Sequence, residues 1–192
     1  MMENNVLRTH SSLRDPYGFI HKDERGELIR YIHPDLAAES SVFLASEFFH
    51  SLIDSGRLVE HEIIRKPDPK TTEWLQLQVK AVPIVTYPFE WPFYLLKKAA
   101  LLTIEIQIQA LENGFALRDG TGFNVLFEGT TPRFIDFGSF AKRKPGSVWP
   151  GYKQFCEHFL APLALSAKRN HPPTLYSGIS MDGLDLSVAS NL

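Results

Sequence analysis

Three residues in the middle of this chain have the types and spacing for metal and phosphate chemistry. Asp119 and Asn124 lie in Leu117-Arg118-Asp119-Gly120-Thr121-Gly122-Phe123-Asn124, and Asp136 lies in Phe134-Ile135-Asp136-Phe137-Gly138. A carboxylate and an amide oxygen are hard donors suited to Mg²⁺, and a phosphoryl donor needs such a cation to bridge its oxygens. The competing reading is structural. An aspartate beside glycines can bond its own backbone in a turn, and an asparagine can do the same.

The surrounding pattern says what would position these groups. Tyr17-Gly18-Phe19-Ile20 and Leu28-Ile29-Arg30-Tyr31-Ile32 flank the turn cluster Asp23-Glu24-Arg25-Gly26, which predicts a hairpin. Pro34-Asp35 opens a helix with Asp35 as its cap, carrying Leu44, Phe48 and Leu52 on one stripe and ending at Ser55-Gly56. The segment Lys66-Pro67-Asp68-Pro69-Lys70 reads as a loop. Leu75, Leu77 and Val79 alternate with glutamines as a half-buried strand, and residues 81–87 read as a second strand with Pro83 at an edge or bulge. Residues 88–92 form a stiff connector, with Trp91 as a packing anchor. Residues 95–113 fit both periods, but about nineteen residues without a turn signal is the length of a buried helix. The 119–124 loop follows, then strands at 125–127 and 133–135, so a small hairpin folds Asp119 and Asp136 toward each other. A last helix over 152–168 carries Phe155, Phe159 and Leu163, with a kink at Pro162. Cys156 reads as a buried small hydrophobe, and His158 as a residue that could approach the cleft.

Composition narrows the function. The chain has 192 residues, 44% hydrophobic and 22% charged, with 14 Phe and a formal net charge of −2. These are the proportions of a globular domain with an aromatic core, or of two small lobes sharing a cleft. With no basic stripe, nucleic acid is not an expected partner. The Lys142-Arg143-Lys144 run reads as a solvated loop or as a contact for an acidic ligand. One cysteine excludes an internal disulfide and fits a reducing, cytoplasmic compartment. The scattered histidines lack metal-ligand spacing, and no apolar window is long enough for a membrane span.

The succession of elements resembles the protein-kinase-like fold, including small-molecule and atypical kinases. The resemblance implies an α+β, bilobal architecture with a reduced antiparallel-sheet N-lobe and a mainly helical C-lobe. Residues 1–14 are then a tail, 15–87 the N-lobe-like part, 88–92 the linker and 93–192 the C-lobe-like part. The family's His-Arg-Asp-x₄-Asn is matched by Leu117-Arg118-Asp119…Asn124, and its Asp-Phe-Gly by Asp136-Phe137-Gly138. The resemblance implies ATP and Mg²⁺ as cofactors, with Asp119 accepting the proton of an attacking hydroxyl and Asn124 and Asp136 as metal ligands. The pattern is incomplete. There is no Gly-x-Gly-x-x-Gly loop, no Val-Ala-Ile-Lys motif and no Ala-Pro-Glu sequence. Arg30 is the nearest strand cation for phosphate, with Glu39 or Glu47 to pair with it. A small-molecule acceptor is expected in place of a peptide.

The chain also resembles the N-terminal region of bacterial S-adenosylmethionine-dependent methyltransferase-type proteins, including nodulation-related ones. That resemblance runs through Tyr87-Pro88-Phe89-Glu90-Trp91, the Asn124 and Asp136 segments, and Gln154-Phe155-Cys156-Glu157-His158-Phe159-Leu160-Ala161-Pro162-Leu163. No strand-loop-helix Gly-x-Gly fingerprint for the methyl donor is present. The alternative expectation is therefore a non-catalytic front module, or a truncated form, acting in partner or substrate recognition.

Overall fold

In the first hairpin, the Asp23 carboxylate accepts the backbone N–H groups of Arg25 at 2.9 Å and Glu27 at 2.8 Å. Gly26 supplies the positive φ of +85° that closes the turn. The flanking strands β1 (Gly18–Lys22) and β2 (Leu28–Ile32) pair antiparallel in this computed structural model, which describes residues 17–66, 71, 73–178 and 180–190. The expected tail and most of the 66–70 loop lie outside the described residues.

The helix expected after the hairpin is two helices, α1 (Pro34–Leu44) and α2 (Glu47–Asp54). The break has a local cause. Ser46 turns its hydroxyl onto the N–H of Phe49 at 3.1 Å and caps α2, so the apolar stripe continues across a change of direction. The cap of α1 also differs from expectation, since His33 Nδ1 accepts the N–H of Asp35 at 3.2 Å.

Two further strands complete a four-stranded antiparallel sheet in the order β1-β2-β4-β3. They are β3 (His61–Arg65) and β4 (Leu75–Val79). The alternation in β4 is as expected, with Leu75, Leu77 and Val79 buried. Its neighbour, however, is β3, and residues 81–87 form no strand. They run out as a connector with Ile84 and Val85 exposed, ending in a single 3₁₀ turn at Pro88–Glu90. Trp91 is buried behind that turn and donates its indole N–H to Thr86 Oγ1 at 2.9 Å.

The central helix α3 (Phe93–Glu112) is closed by Asn113 and by Gly114 at φ +80°. Two short antiparallel strand pairs follow among the described residues. Strand β5 (Phe115–Leu117) pairs with β8 (Phe140–Lys142), and β6 (Val125–Glu128) pairs with β7 (Thr131–Phe134). The last helical run begins as α4 (Tyr152–Phe155), loosens into a π turn at Cys156–Leu160 and resumes as α5 (Ala161–Arg169). Pro162 lacks an N–H, so a widened turn ahead of it replaces the sharp kink. Two single-turn helices, α6 (Thr174–Ser177) and α7 (Leu186–Ala189), end the described chain.

The phenylalanine-rich composition reappears as one aromatic core. Phe43 stacks on Phe140 at 4.1 Å and meets Phe48, Phe49, Phe115 and Phe137 at 5.3–6.0 Å. That cluster locks α1 and α2 to β5 and β8. The segment after α2 reaches the β6–β7 hairpin directly, because Val59 N–H donates to Phe134 O at 3.0 Å and Phe134 N–H to Arg57 O at 2.7 Å. The sheet is thereby anchored beside Ile135 and Asp136.

Candidate functional site

Arg30 occupies the middle of β2, opposite Ile20 on one side and Leu77 on the other. It shares its face with the buried Ile32, so an arginine points into the apolar side of the sheet and is itself only 8% exposed. Such a charge must be paired. Its Nη1 donates to Asp136 Oδ1 at 2.8 Å, and its Nη2 to the Ile135 carbonyl at 3.2 Å. Its Nε–H is buried without a hydrogen-bond partner among the described residues.

Asp136 both pairs with Arg30 and organises its own turn. The same Oδ1 that meets Arg30 accepts the N–H of Gly138 at 3.1 Å and caps the turn at Phe137–Ser139. The β6–β7 hairpin brings Asn124 alongside, because Ile135 N–H donates to Asn124 O at 2.9 Å. The Asn124 Nδ2 is buried and makes no hydrogen bond among the described residues. Asp119 is held nearby through Ser139, whose hydroxyl accepts the Asp119 N–H at 3.3 Å while its carbonyl accepts Arg118 N–H at 2.7 Å. The structure thus gathers Arg30, Asp119, Asn124 and Asp136 around one polar junction between the sheet and the hairpin.

The two glutamates do not join it. Glu47 lies exposed in the first turn of α2, with no bond to Arg30. Glu39 faces the other way. One of its carboxylate oxygens pairs with Arg118, and the other accepts Lys142 N–H at 2.5 Å, which ties α1 to the 119–124 loop and to β8. The expected pairing of Arg30 with either glutamate is replaced by the bond to Asp136. Lys142, Arg143 and Lys144 are exposed, but the run is only partly a loop, since Lys142 is the last residue of β8.

Further residues, several of them without a sequence signal, finish the junction. Gly120 and Gly151 allow backbone to touch backbone where α4 begins, and Gly120 N–H donates to Gln154 Oε1 at 3.0 Å. His158 is buried, with Nε2 3.5 Å from Thr121 Oγ1 and its ring edge-on to Phe123. On the sheet side, His61 holds its Nδ1 2.7 Å from Val59 O, which assigns the proton to Nδ1 and leaves the buried Nε2 without a partner among the described residues. A motif search cannot find Ser139, Gln154 or His61, since each matters only through what the fold sets opposite it.

Both histidines stay neutral well into acid. Burial, reinforced by the Arg30 charge and partly opposed by the Val59 carbonyl, pushes His61 down to about 3. Burial, partly opposed by Asp182, lowers His158 to about 4. Unfolded histidine titrates near 6.5, so the unfolded chain takes up these protons first. The stability the two rings contribute is whole above about pH 6.5 and is lost as pH falls toward their folded values. Stability should fall by about 1.4 kcal/mol per pH unit for each histidine in that window. Urea unfolding at pH 7, 6 and 5 reads this directly. His158→Gln should remove about half of the slope, and a flat profile above pH 5 would rule the account out.

The class that emerges is an α+β protein with a small antiparallel sheet, several helices and a polar junction built from two loops. Among the described residues, no three of His, Cys, Asp and Glu gather as a metal site, and no helix is long and apolar enough to cross a membrane. No family model matches the chain. It is 39% identical over 165 residues to Nodulation protein NoeA of Rhizobium meliloti (strain 1021), a match covering 82% of this chain and 33% of that protein. NoeA is thus a homologue over that stretch, and the chain spans about a third of its length.

Proposed function

We propose that this chain is a kinase-like recognition module, the counterpart of one part of a longer NoeA-type protein, and that its cleft does not transfer phosphoryl groups. In this reading residues 15–87 form the sheet-bearing lobe, 88–92 the linker and 93–192 the helical lobe. The order of elements supports it: hairpin, helices, sheet, connector, central helix, the 119–124 loop, the β6–β7 hairpin and Asp136. The relation to a nodulation protein is consistent with the resemblance to methyltransferase-type proteins, and it favours recognition of a partner or substrate.

The observation that carries the proposal is the Arg30–Asp136 pair. Asn124 and Asp136 would be the ligands of Mg²⁺, but Asp136 already holds a guanidinium at 2.8 Å on an oxygen that also caps a turn. A divalent cation there would face that positive charge across a half-buried gap, so this arrangement does not fit the metal. A second reading, Mg²⁺ and ATP serving transfer to a small-molecule hydroxyl with Asp119 as base, is favoured by one observation. The Asn124 amide beside Asp136 has a buried Nδ2 with no hydrogen-bond partner among the described residues, a donor that a phosphate oxygen, though not the metal, would satisfy.

Thermal shift separates the two readings. Recognition without transfer predicts no stabilisation that requires ATP and Mg²⁺ together, and no ATP turnover. Joint stabilisation, with turnover abolished by Asp119→Ala while binding persists, would establish the kinase instead. Stabilisation by ATP that survives Asp136→Asn but fails in Arg30→Ala would place the contact on phosphate without the metal.

A further inference from the structure

The central helix α3 buries one face and leaves another bare. Leu96, Ala99, Leu102, Ile106 and Ala110 turn into the core. On the outer side, where a surface helix should be polar, Tyr94, Leu101 and Ile108 are 60%, 47% and 51% exposed. Single exposed apolar residues are ordinary, but these three recur at every seventh position. A seven-residue step drifts by only about 20° around an α-helix, so they lie on one line along it. Lys97 and Glu105 are exposed as well, and helical geometry sets each about 40° from Leu101, one on either flank of that line. Neither enters an ion pair among the described residues. Tyr94 is held in place, since the Lys98 ammonium lies 4.7 Å from its ring centroid while donating to Thr130 O at 2.9 Å.

The stripe is its own complement. Leu101 stands midway between Tyr94 and Ile108, and also midway between Lys97 and Glu105. Reversing the helix about Leu101 therefore exchanges apolar for apolar and cation for anion. An isologous two-fold interface requires a patch of this kind. With two copies antiparallel, Leu101 meets the partner's Leu101, and Tyr94 lies level with the partner's Ile108. Each Lys97 lies level with the partner's Glu105. A parallel pairing would instead set lysine beside lysine and glutamate beside glutamate, so the charges select the antiparallel register.

We propose that α3 docks on the α3 of a second copy of this chain, antiparallel and centred on Leu101. The seam is one helix wide, narrower than the interface of a permanent dimer, so the association is weak and concentration-dependent. The inference is independent of the recognition reading, because no residue of the seam belongs to the polar junction.

Sedimentation velocity on the wild-type chain, from about 5 to about 300 µM, should show a shift from monomer to dimer. Leu101→Asp sets two carboxylates against each other at the two-fold and should weaken association about tenfold or more. Lys97→Glu and Glu105→Lys each create like-charge pairs and should each weaken it about fivefold or more. One of these variants then has only glutamates at the two positions and the other only lysines. An equimolar mixture of the two should therefore associate again, as a heterodimer, and so should the double reversal Lys97→Glu/Glu105→Lys with itself. Loss of association through misfolding would not be rescued by mixing. All three positions are exposed, so each variant should keep its urea midpoint within about 0.3 M of the wild type. A wild-type chain that stays monomeric throughout the range overturns the proposal and leaves the stripe to another protein. A dimer indifferent to Leu101→Asp, or single reversals that mixing fails to rescue, overturns it as well.

Discussion

Gly120→Ala is expected to be among the most damaging single changes in this chain, although it adds one methyl group. A Cβ at position 120 would sit 2.2 Å from Gly151 O and 2.8 Å from Phe155 N. Both obstacles are backbone, so no side chain can swing aside. Either α4 moves away from the 119–124 loop or the loop moves away from Ser139 and Asp136. The first movement breaks the Gly120–Gln154 bond and disturbs the packing of Phe155 on Trp149 and Phe159. Overpacking together with these losses should cost about 3–5 kcal/mol, seen as a lower urea midpoint at an unchanged slope. Gly151→Ala should behave alike, since its Cβ would meet Gly120 N at 2.6 Å. Gly178→Ala is the control, because a Cβ there finds its nearest neighbour at 3.4 Å. If Gly120→Ala unfolds within about 0.3 M urea of the wild type, the close approach of loop and helix is wrong.

Arg30→Met should cost about 2–4 kcal/mol for a different reason. Methionine fills much of the same space, so the loss is electrostatic and not a cavity. The Arg30 side chain is 10% exposed and that of Asp136 22%, which places the pair where water compensates poorly. Removing one partner leaves a carboxylate with one N–H donor and the Ile135 carbonyl without the guanidinium. Replacing both partners, in Arg30→Met/Asp136→Asn, should recover a good part of that loss. The pair should show a coupling energy above about 1 kcal/mol in a double-mutant cycle, with little change at high salt because the groups are shielded from ions. Additive single effects would mean that Arg30 stabilises the sheet by packing alone. The interaction proposed to keep the metal out would then not be one.

The elements that could be read from the letters are those whose stability is local. The Asp23–Gly26 turn, the twenty residues of α3 with Asn113-Gly114 behind them, and the β6–β7 hairpin carry their own turn chemistry and periodicity. Strand β3 does not. His-Glu-Ile-Ile-Arg at a sheet edge is exposed along most of its length, so no alternation marks it. Strands β5 and β8 have three residues each and exist only because each supplies the other's hydrogen bonds. Residues 81–87 misled for the opposite reason, as an apolar run that the fold leaves on the surface of a connector. The stripe through Leu44, Phe48 and Leu52 is real, but periodicity is blind to a capped break within it.

The candidate site divides along the same line. Sequence alone determined which groups were available: two aspartates and an asparagine at suitable offsets, an arginine on a strand, and no glycine-rich loop. Chain order and turn chemistry were enough to bring Asn124 next to Asp136, since a tight hairpin separates them. Tertiary structure decided the partners. Arg30 bonds a carboxylate 106 residues away instead of the glutamates close to it in sequence, and Glu39 goes to Arg118, 79 residues on. A buried charge accepts whichever counter-ion the packing sets against it. That packing is governed by the aromatic core around Phe43, whose contacts form only when both halves of the chain have folded.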